Sequence, residues 1–228
     1  LNYKKSKLLV IFRGINLDFY NTKNISQNKL IKLKEEWKVN DEKFIILLPG
    51  RLTQWKGQEV FIEALNILKN DYFKENFLAI ILGSNQGRKV YSKKLFSMVE
   101  RFRLNKKVLF IDKCSDMPTA YSLANVVVSP SIEPEAFGRV AVEAQAMQKI
   151  IIASNIGGSK ETVVDGKTGI LFDSGNAKEL AKTLNKIIDL DNEGKKLIGN
   201  EGRKNVIKKF DVEKMCQTTF TEYKKLLK

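Results

Sequence analysis

Apolar runs recur through this chain, and most are unbroken: FIILLPG (44–50), FLAIILG (77–83), VLFID (108–112), VVVSP (126–130) and IIIAS (150–154). A strand with one wet face alternates apolar and polar residues, whereas a strand covered on both faces has no reason to. Segments of helical spacing lie between the runs, as with Val60, Phe61, Ala64, Leu65 and Leu68. Repeated strand–helix units of this kind predict the α/β class: a single doubly wound, Rossmann-like parallel sheet with helices on both faces. LLVIF (8–12) and GILF (169–172) read as further strands at either end of the series. Helices are expected over 26–38 (with Ser26 as cap), 58–70 and 89–103, and from Asp116 with Pro118 in its first turn. A last helical region runs from Ala177 to Lys228, broken near Glu193–Gly194 and Phe210–Asp211. With no internal repeat, low-complexity segment or linker, 1–228 reads as one domain.

Within this frame the polar chemistry concentrates in SPSIEPEAFGRVAVEAQAMQKIIIASNIGGSKE (129–161). A strand leads in, a loop carries Glu135, Phe137 and Gly138, a short helix carries Glu143, and a strand leads out to Gly157 and Gly158. Ligands of open α/β sheets bind beyond the carboxyl ends of the strands, beside helix N-termini whose free amides suit a phosphate. Gly138 would let the backbone approach closely there. Glu143 sits among Val140, Ala141, Val142, Ala144 and Ala146, and a carboxylate so surrounded needs a specific partner. Vicinal hydroxyls of a ribose or sugar are suitable donors to it and to Glu135.

The loop from Gly50 to Gly57 adds two cations, Arg51 and Lys56, at the end of a central strand. A guanidinium forks onto phosphate oxygens and an ammonium adds a point charge, so the pair suits a diphosphate without a metal. GSNQG (83–87) matches neither the dinucleotide nor the P-loop pattern. Glu133 reads as solvated, Cys114 as packing, and the amphipathic helix after Asp211 as a docking element.

Composition removes several classes. The chain has no histidine, and its two cysteines, Cys114 and Cys216, form neither a disulfide framework nor a metal-ligand pattern. No apolar run reaches spanning length and no signal peptide opens the chain, so a cytoplasmic setting is expected. The net charge of +14 comes mainly from scattered lysines without a basic–aromatic block, which argues against nucleic acid. It leaves open peripheral association with an acidic membrane face.

The motifs G-R-L…K-G (50–57), E-A-F-G-R-V-A-V-E-A (135–144) and I-G-G-S-K-E-T-V-V-D-G-K-T-G-I-L-F (156–172) together resemble the nucleotide-sugar domain of retaining family 4 glycosyltransferases. These enzymes have the GT-B fold, and RGINLDFYN (13–21) looks like their hinge segment. The resemblance covers nearly the whole chain. It implies that this is the C-terminal, donor half, and that an N-terminal domain binding the acceptor glycan or lipid is absent, in keeping with Leu1 as first residue.

It further implies metal-independent transfer of a hexose-type sugar from a nucleotide-diphosphate donor such as a UDP-sugar, with no cofactor. Arg51, Lys56 and Glu135 become the expected catalytic residues: the cations hold the departing diphosphate, and Glu135, with the amides of Phe137 and Gly138, holds the sugar. Glu143 would take the ribose, the amides of Arg139 and Val140 a phosphate, and the Lys113–Met117 loop the base. Gly50, Gly157 and Gly158 complete the substrate-binding set. Ala136 and Arg139 replace the family's usual glycine and aliphatic residue, and Gln148 and Ile150 replace a usual glycine and proline. Two alternatives stand beside this: another enzyme on the scaffold, such as a nucleotide-sugar epimerase or sugar phosphorylase, and a non-catalytic basic module for anionic lipid or polyanion.

Overall fold

The computed structural model describes residues 8–40 and 42–227, so Leu1 and Lys228 lie outside the described residues. Six strands form one parallel sheet: β1 (Phe44–Pro49), β2 (Phe77–Leu82), β3 (Val108–Ile111), β4 (Val126–Ser129), β5 (Ile150–Ser154) and β6 (Ile170–Phe172). Their order is β3-β2-β1-β4-β5-β6, so the winding reverses between β1 and β4. Register is set by pairs such as Leu47↔Ile80 and Leu47↔Val127, with Ile152↔Ile170 at the far edge.

The unbroken apolar runs have the expected cause. In β1, Ile46 and Leu48 enter one core while Ile45 and Leu47 enter the other, so both sides of the pleat are buried. The first core receives α2 (Gln58–Asn70), α3 (Lys89–Arg101) and α7 (Ala177–Asp189) through Phe61, Leu65, Leu95 and Leu184. The second receives α1 (Gln27–Trp37), α4 (Met117–Leu123), α5 (Arg139–Ala146) and α8 (Asn192–Lys209) through Trp37, Tyr121, Val142 and Val206. Each fully buried aliphatic side chain contributes about 1.5–3 kcal/mol. The one-turn α6 (Ser159–Thr162) and the last helix, α9 (Val212–Leu226), complete the chain.

Local signals fix the helix ends. Ser26 accepts from the Lys29 amide, Asp116 from Thr119, and Asn176 from Glu179. The break expected at Glu193–Gly194 falls instead at Leu190–Asp191, because Asp191 caps α8 and accepts from the Gly194 amide in its first turn. LLVIF is not a strand. Leu8, Leu9 and Val10 are exposed and join no ladder, and only at Ile15 does the segment bridge the chain, at Asp211.

Lys149, between α5 and β5, is the deepest charge problem: it donates to the Ser122 carbonyl at 2.8 Å, and burial pushes its ammonium down to about 8. No helix among the described residues is long and apolar enough to cross a membrane.

Candidate functional site

The carboxyl ends of β1 and β4 flank the reversal in strand order, where a crevice opens by construction. Two loops cross it and touch. Gly57 adopts φ +72, and a Cβ there would stand 1.8 Å from the Pro130 carbonyl oxygen. Two residues before Gly57 and two after Pro130, the Ile132 amide donates to the Trp55 carbonyl at 2.8 Å.

This contact sets Lys56 beside Glu135. Lys56 Nζ stands 2.8 Å from Glu135 Oε1, the same oxygen accepts from the Ser131 hydroxyl at 2.5 Å, and the paired side chains are only 12% and 14% exposed. The sequence assigns Lys56 to a diphosphate and Glu135 to a sugar as separate partners; in the structure each is the other's counter-ion. A pair this shielded is held tightly, yet either member left alone would be a poorly solvated charge. Arg51 is exposed and reaches only Gln86 Oε1, at 3.5 Å.

The helix N-terminus expected near Gly138 is present. Gly138 precedes α5 with φ +74, a conformation that side-chain-bearing residues rarely adopt, and no side chain caps the helix. The amides of Arg139 and Val140 therefore have no partner among the described residues. They carry the positive end of the helix dipole. Val140's side chain packs into the second core, so only its amide is available; Phe137's ring meets Phe210 edge-on at 5.8 Å.

Glu143 is 6% exposed and has partners that the sequence reading did not identify. Tyr121 donates its hydroxyl to Oε2 at 2.7 Å, and Arg139, one helical turn earlier, donates Nε to Oε1 at 2.5 Å. Two of roughly four lone-pair positions on the carboxylate are thus taken. Arg139's side chain is 71% exposed, which leaves it free to swing away. Burial, then the charge of Glu143, pushes the hydroxyls of Tyr20 and Tyr121 far above the ordinary tyrosine value, so both stay neutral donors. Bonding and proximity to Glu143 raise Arg139 as well. Neither tyrosine stood out in the sequence: Tyr121 lies in a helix that also carries the hydroxyls of Thr119 and Ser122, and Tyr20 in the loop before α1.

A cavity of about 540 Å³ opens over these groups, lined by Arg13, Asn16, Tyr20, Glu135, Phe137 and Arg139 among others. One wall is the incoming segment RGINLDFYN. It is held by the Ile15 amide on the Phe210 carbonyl (2.9 Å) and by Arg203, which donates to the carbonyls of Tyr20 (2.5 Å) and Ala146 (2.8 Å).

Gly50, Gly157 and Gly158, like Arg51, Lys56, Val140 and Glu143, stand behind or beside the residues that line this cavity. Gly157 and Gly158 face the loop before α5: a Cβ on the first would stand 2.6 Å from the Glu135 carbonyl oxygen, and on the second 2.5 Å from the Phe137 carbonyl carbon. With the Gly158 amide donating to the Glu135 carbonyl at 2.7 Å, they hold the loop in place. Gly50 faces the aliphatic stem of Lys56. The Lys113–Met117 loop also stays outside the cavity. Cys114 in it is half-buried, and burial raises its thiol; Asp116 is tied to Thr119 and to Lys29 at 3.1 Å.

A family model described as "Glycosyl transferases group 1" matches residues 31–205. The chain is 30% identical over 198 residues to the capsular polysaccharide biosynthesis glycosyltransferase CapM of Staphylococcus aureus, covering 86% of this chain and 50% of that protein. It superposes on a crystal structure of a glycosyltransferase from Rickettsia africae with a TM-score of 0.94 and 34% identity, covering 99% of this chain and 59% of that one. The Anabaena protein Alr3699/HepE, crystallised with UDP and glucose, gives a TM-score of 0.86 and 29% identity, covering 95% and 56%. The chain thus spans about half the length of the relatives it matches.

Proposed function

The chain belongs to the group 1 glycosyltransferases, and from that premise we propose that it is the C-terminal, donor-binding domain of a retaining, metal-independent enzyme that moves a hexose-type sugar from a UDP-sugar. The observation that carries the reading is the meeting, in one crevice, of the Lys56–Glu135 pair, the uncapped N-terminus of α5 and the buried Glu143. HepE's complex with UDP and glucose supports the choice of nucleotide.

On this reading the donor's arrival is an exchange of partners. The diphosphate takes Lys56 from Glu135, joined by Arg51 and the amides of Arg139 and Val140. Glu135, released from its cation, accepts hydrogen bonds from hydroxyls of the sugar. Arg139 swings off Glu143 toward the phosphates, and Glu143, still oriented by Tyr121, accepts from the ribose hydroxyls. The cations and the helix dipole stabilise charge as it develops on the departing diphosphate. The acceptor hydroxyl oxygen bonds to the anomeric carbon, the bond from that carbon to the phosphate oxygen breaks, and the acceptor's proton passes to the leaving phosphate on the same face. That step needs no histidine.

The acceptor, a glycan or lipid at the cytoplasmic face of a membrane, would be bound largely by the part of the enzyme that the relatives have beyond this chain's match. The chain by itself is then expected to bind donor and to transfer little. Calorimetric titration with UDP, GDP and ADP in chelator-treated buffer tests the reading: one-to-one binding of UDP in preference to the others supports it, and no binding of any diphosphate contradicts it.

A further inference from the structure

Arg203 lies on α8, outside the cavity over the α5 N-terminus. It is half-buried, and every hydrogen bond it makes goes to a main-chain carbonyl: Nη1 to Tyr20 at 2.5 Å and to Ala146 at 2.8 Å, Nη2 to Leu17 at 3.5 Å. Asp18 is felt as a nearby charge but forms no ion pair with it. Taking a guanidinium partly out of water without a counter-ion is costly. What the three bonds join is therefore informative.

They join the incoming segment to α5, two elements with no backbone hydrogen bond between them among the described residues. At the end of α5 the carbonyls of Glu143, Ala144 and Gln145 receive the amides of Met147, Lys149 and Gln148 at 3.0, 2.9 and 3.0 Å. The last carbonyl, that of Ala146, is left to Arg203. A cation there also meets the negative end of the dipole whose positive end faces the cavity. On the other side, the carbonyls of Leu17 and Tyr20 receive no backbone amide among the described residues, so Arg203 fixes the course of the segment at Tyr20.

Tyr20 is where this matters. It is 4% exposed and lines the cavity, its ring meets that of Tyr121 edge-on with centroids 6.2 Å apart, and its hydroxyl stands beside Glu143 and Arg139. Glu143 thus has a tyrosine on each of two elements: Tyr121, carried by α4, and Tyr20, carried by a loop. The helix holds the first in place; the second depends on whatever holds the loop. We propose that Arg203 is a positioning residue of the donor site: by clamping the Tyr20 carbonyl to the end of α5, it seats the Tyr20 hydroxyl against Glu143 and fixes the carboxylate for the ribose hydroxyls. It touches no ligand itself. The proposal rests on the donor reading, in which Glu143 takes the ribose.

Calorimetry of this chain with UDP and 2′-deoxy-UDP isolates the ribose contact, because the two probes differ in one hydroxyl. The parent is expected to bind UDP about tenfold more tightly than the deoxy compound. Tyr20→Phe and Arg203→Met should each bring that ratio toward one, with the loss falling on UDP. The double variant should discriminate no worse than Arg203→Met alone, since both act through one hydroxyl. Arg203→Lys keeps the charge without the fork and should restore part of the ratio; it carries the test if Arg203→Met does not fold. An Arg203 that only holds the fold would lower the melting temperature and leave the ratio unchanged. That outcome, a ratio that survives Tyr20→Phe, or a parent indifferent to the 2′-hydroxyl would overturn the proposal while UDP binding, and with it the donor reading, stood. Failure of the parent to bind UDP would remove the donor reading and this proposal with it.

Discussion

Gly57 lies so close to Pro130 that a Cβ on it would stand 1.8 Å from the Pro130 carbonyl oxygen. This contact, together with the Ile132–Trp55 hydrogen bond, fastens the loop after β1 to the loop after β4 and thereby makes Lys56 and Glu135 neighbours. Gly57→Ala combines a left-handed backbone (φ +72) with a clash against main chain that cannot rotate away. It should destabilise the fold by on the order of 3 kcal/mol and weaken UDP binding at the same time. Urea denaturation and a UDP titration on the variant check both; a normal titration would show that the loop contact does not organise the site.

The ion pair should separate nucleotide binding from sugar recognition. Glu135→Gln keeps an acceptor for Ser131 but frees Lys56 of its counter-ion. UDP is expected to bind this variant at least as tightly as the parent, while the extra affinity for UDP-glucose over UDP disappears. Lys56→Met should instead lose UDP affinity by about tenfold or more, since a charged hydrogen bond to phosphate is removed.

Tyr121→Phe removes the 2.7 Å bond to Glu143 and leaves the carboxylate with Arg139 and the neighbouring Tyr20 hydroxyl. The expected loss is about 1–3 kcal/mol of stability, with weaker UDP binding because Glu143 is less firmly oriented. Thermal unfolding and calorimetry of the same sample measure the two effects. Loss of stability with unchanged affinity would assign Tyr121 to the core alone.

Lys149 gives the fold a pH dependence. Its ammonium lies at about 8 in the folded protein, against 10.5 for an unburied lysine. Between those values the unfolded chain binds more protons than the folded one, so stability rises with pH across that window. Below about pH 8 the buried charge is a full penalty, on the order of 1–3 kcal/mol. Lys149→Met should therefore be more stable than the parent at pH 7, and the difference should shrink toward pH 10. A constant difference over that range would contradict the assignment.

Gln148 closes α5 at φ +55, where a glycine would carry no strain, and its side chain bonds Asn200 (2.6 Å) and Thr22 (3.0 Å). Gln148→Ala keeps the strain and loses the bonds, whereas Gln148→Gly loses the bonds and relieves the strain. The glycine variant should be the more stable of the two by about 1 kcal/mol, measured by urea denaturation.

The sheet was legible because two-sided burial leaves an unmistakable mark: Ile45 to Leu48 alternate between two cores, and both demand apolar residues. The free α5 N-terminus after Gly138 could also be read, since it depends on local backbone geometry. Long-range matches could not. LLVIF has strand composition, but residues 8–12 pair with no strand of the sheet. Gly157 and Gly158 signal a close approach without saying to what, and the fold brings them against Glu135 and Phe137. Tyr121 belongs to Glu143 only through the fold that brings α4 beside α5, whereas Arg139 stands four residues before Glu143 on the same helix, a local pairing that helical spacing allows.

On the proposed reading, donor binding trades the Lys56–Glu135 pair for a Lys56–phosphate pair. A crystal structure of this chain with UDP-glucose tests the exchange. The diphosphate is expected at the N-terminus of α5 with Lys56 Nζ on a phosphate oxygen and Glu135 on the sugar hydroxyls. A nucleotide bound elsewhere, or bound there with the 2.8 Å Lys56–Glu135 contact intact, would contradict it.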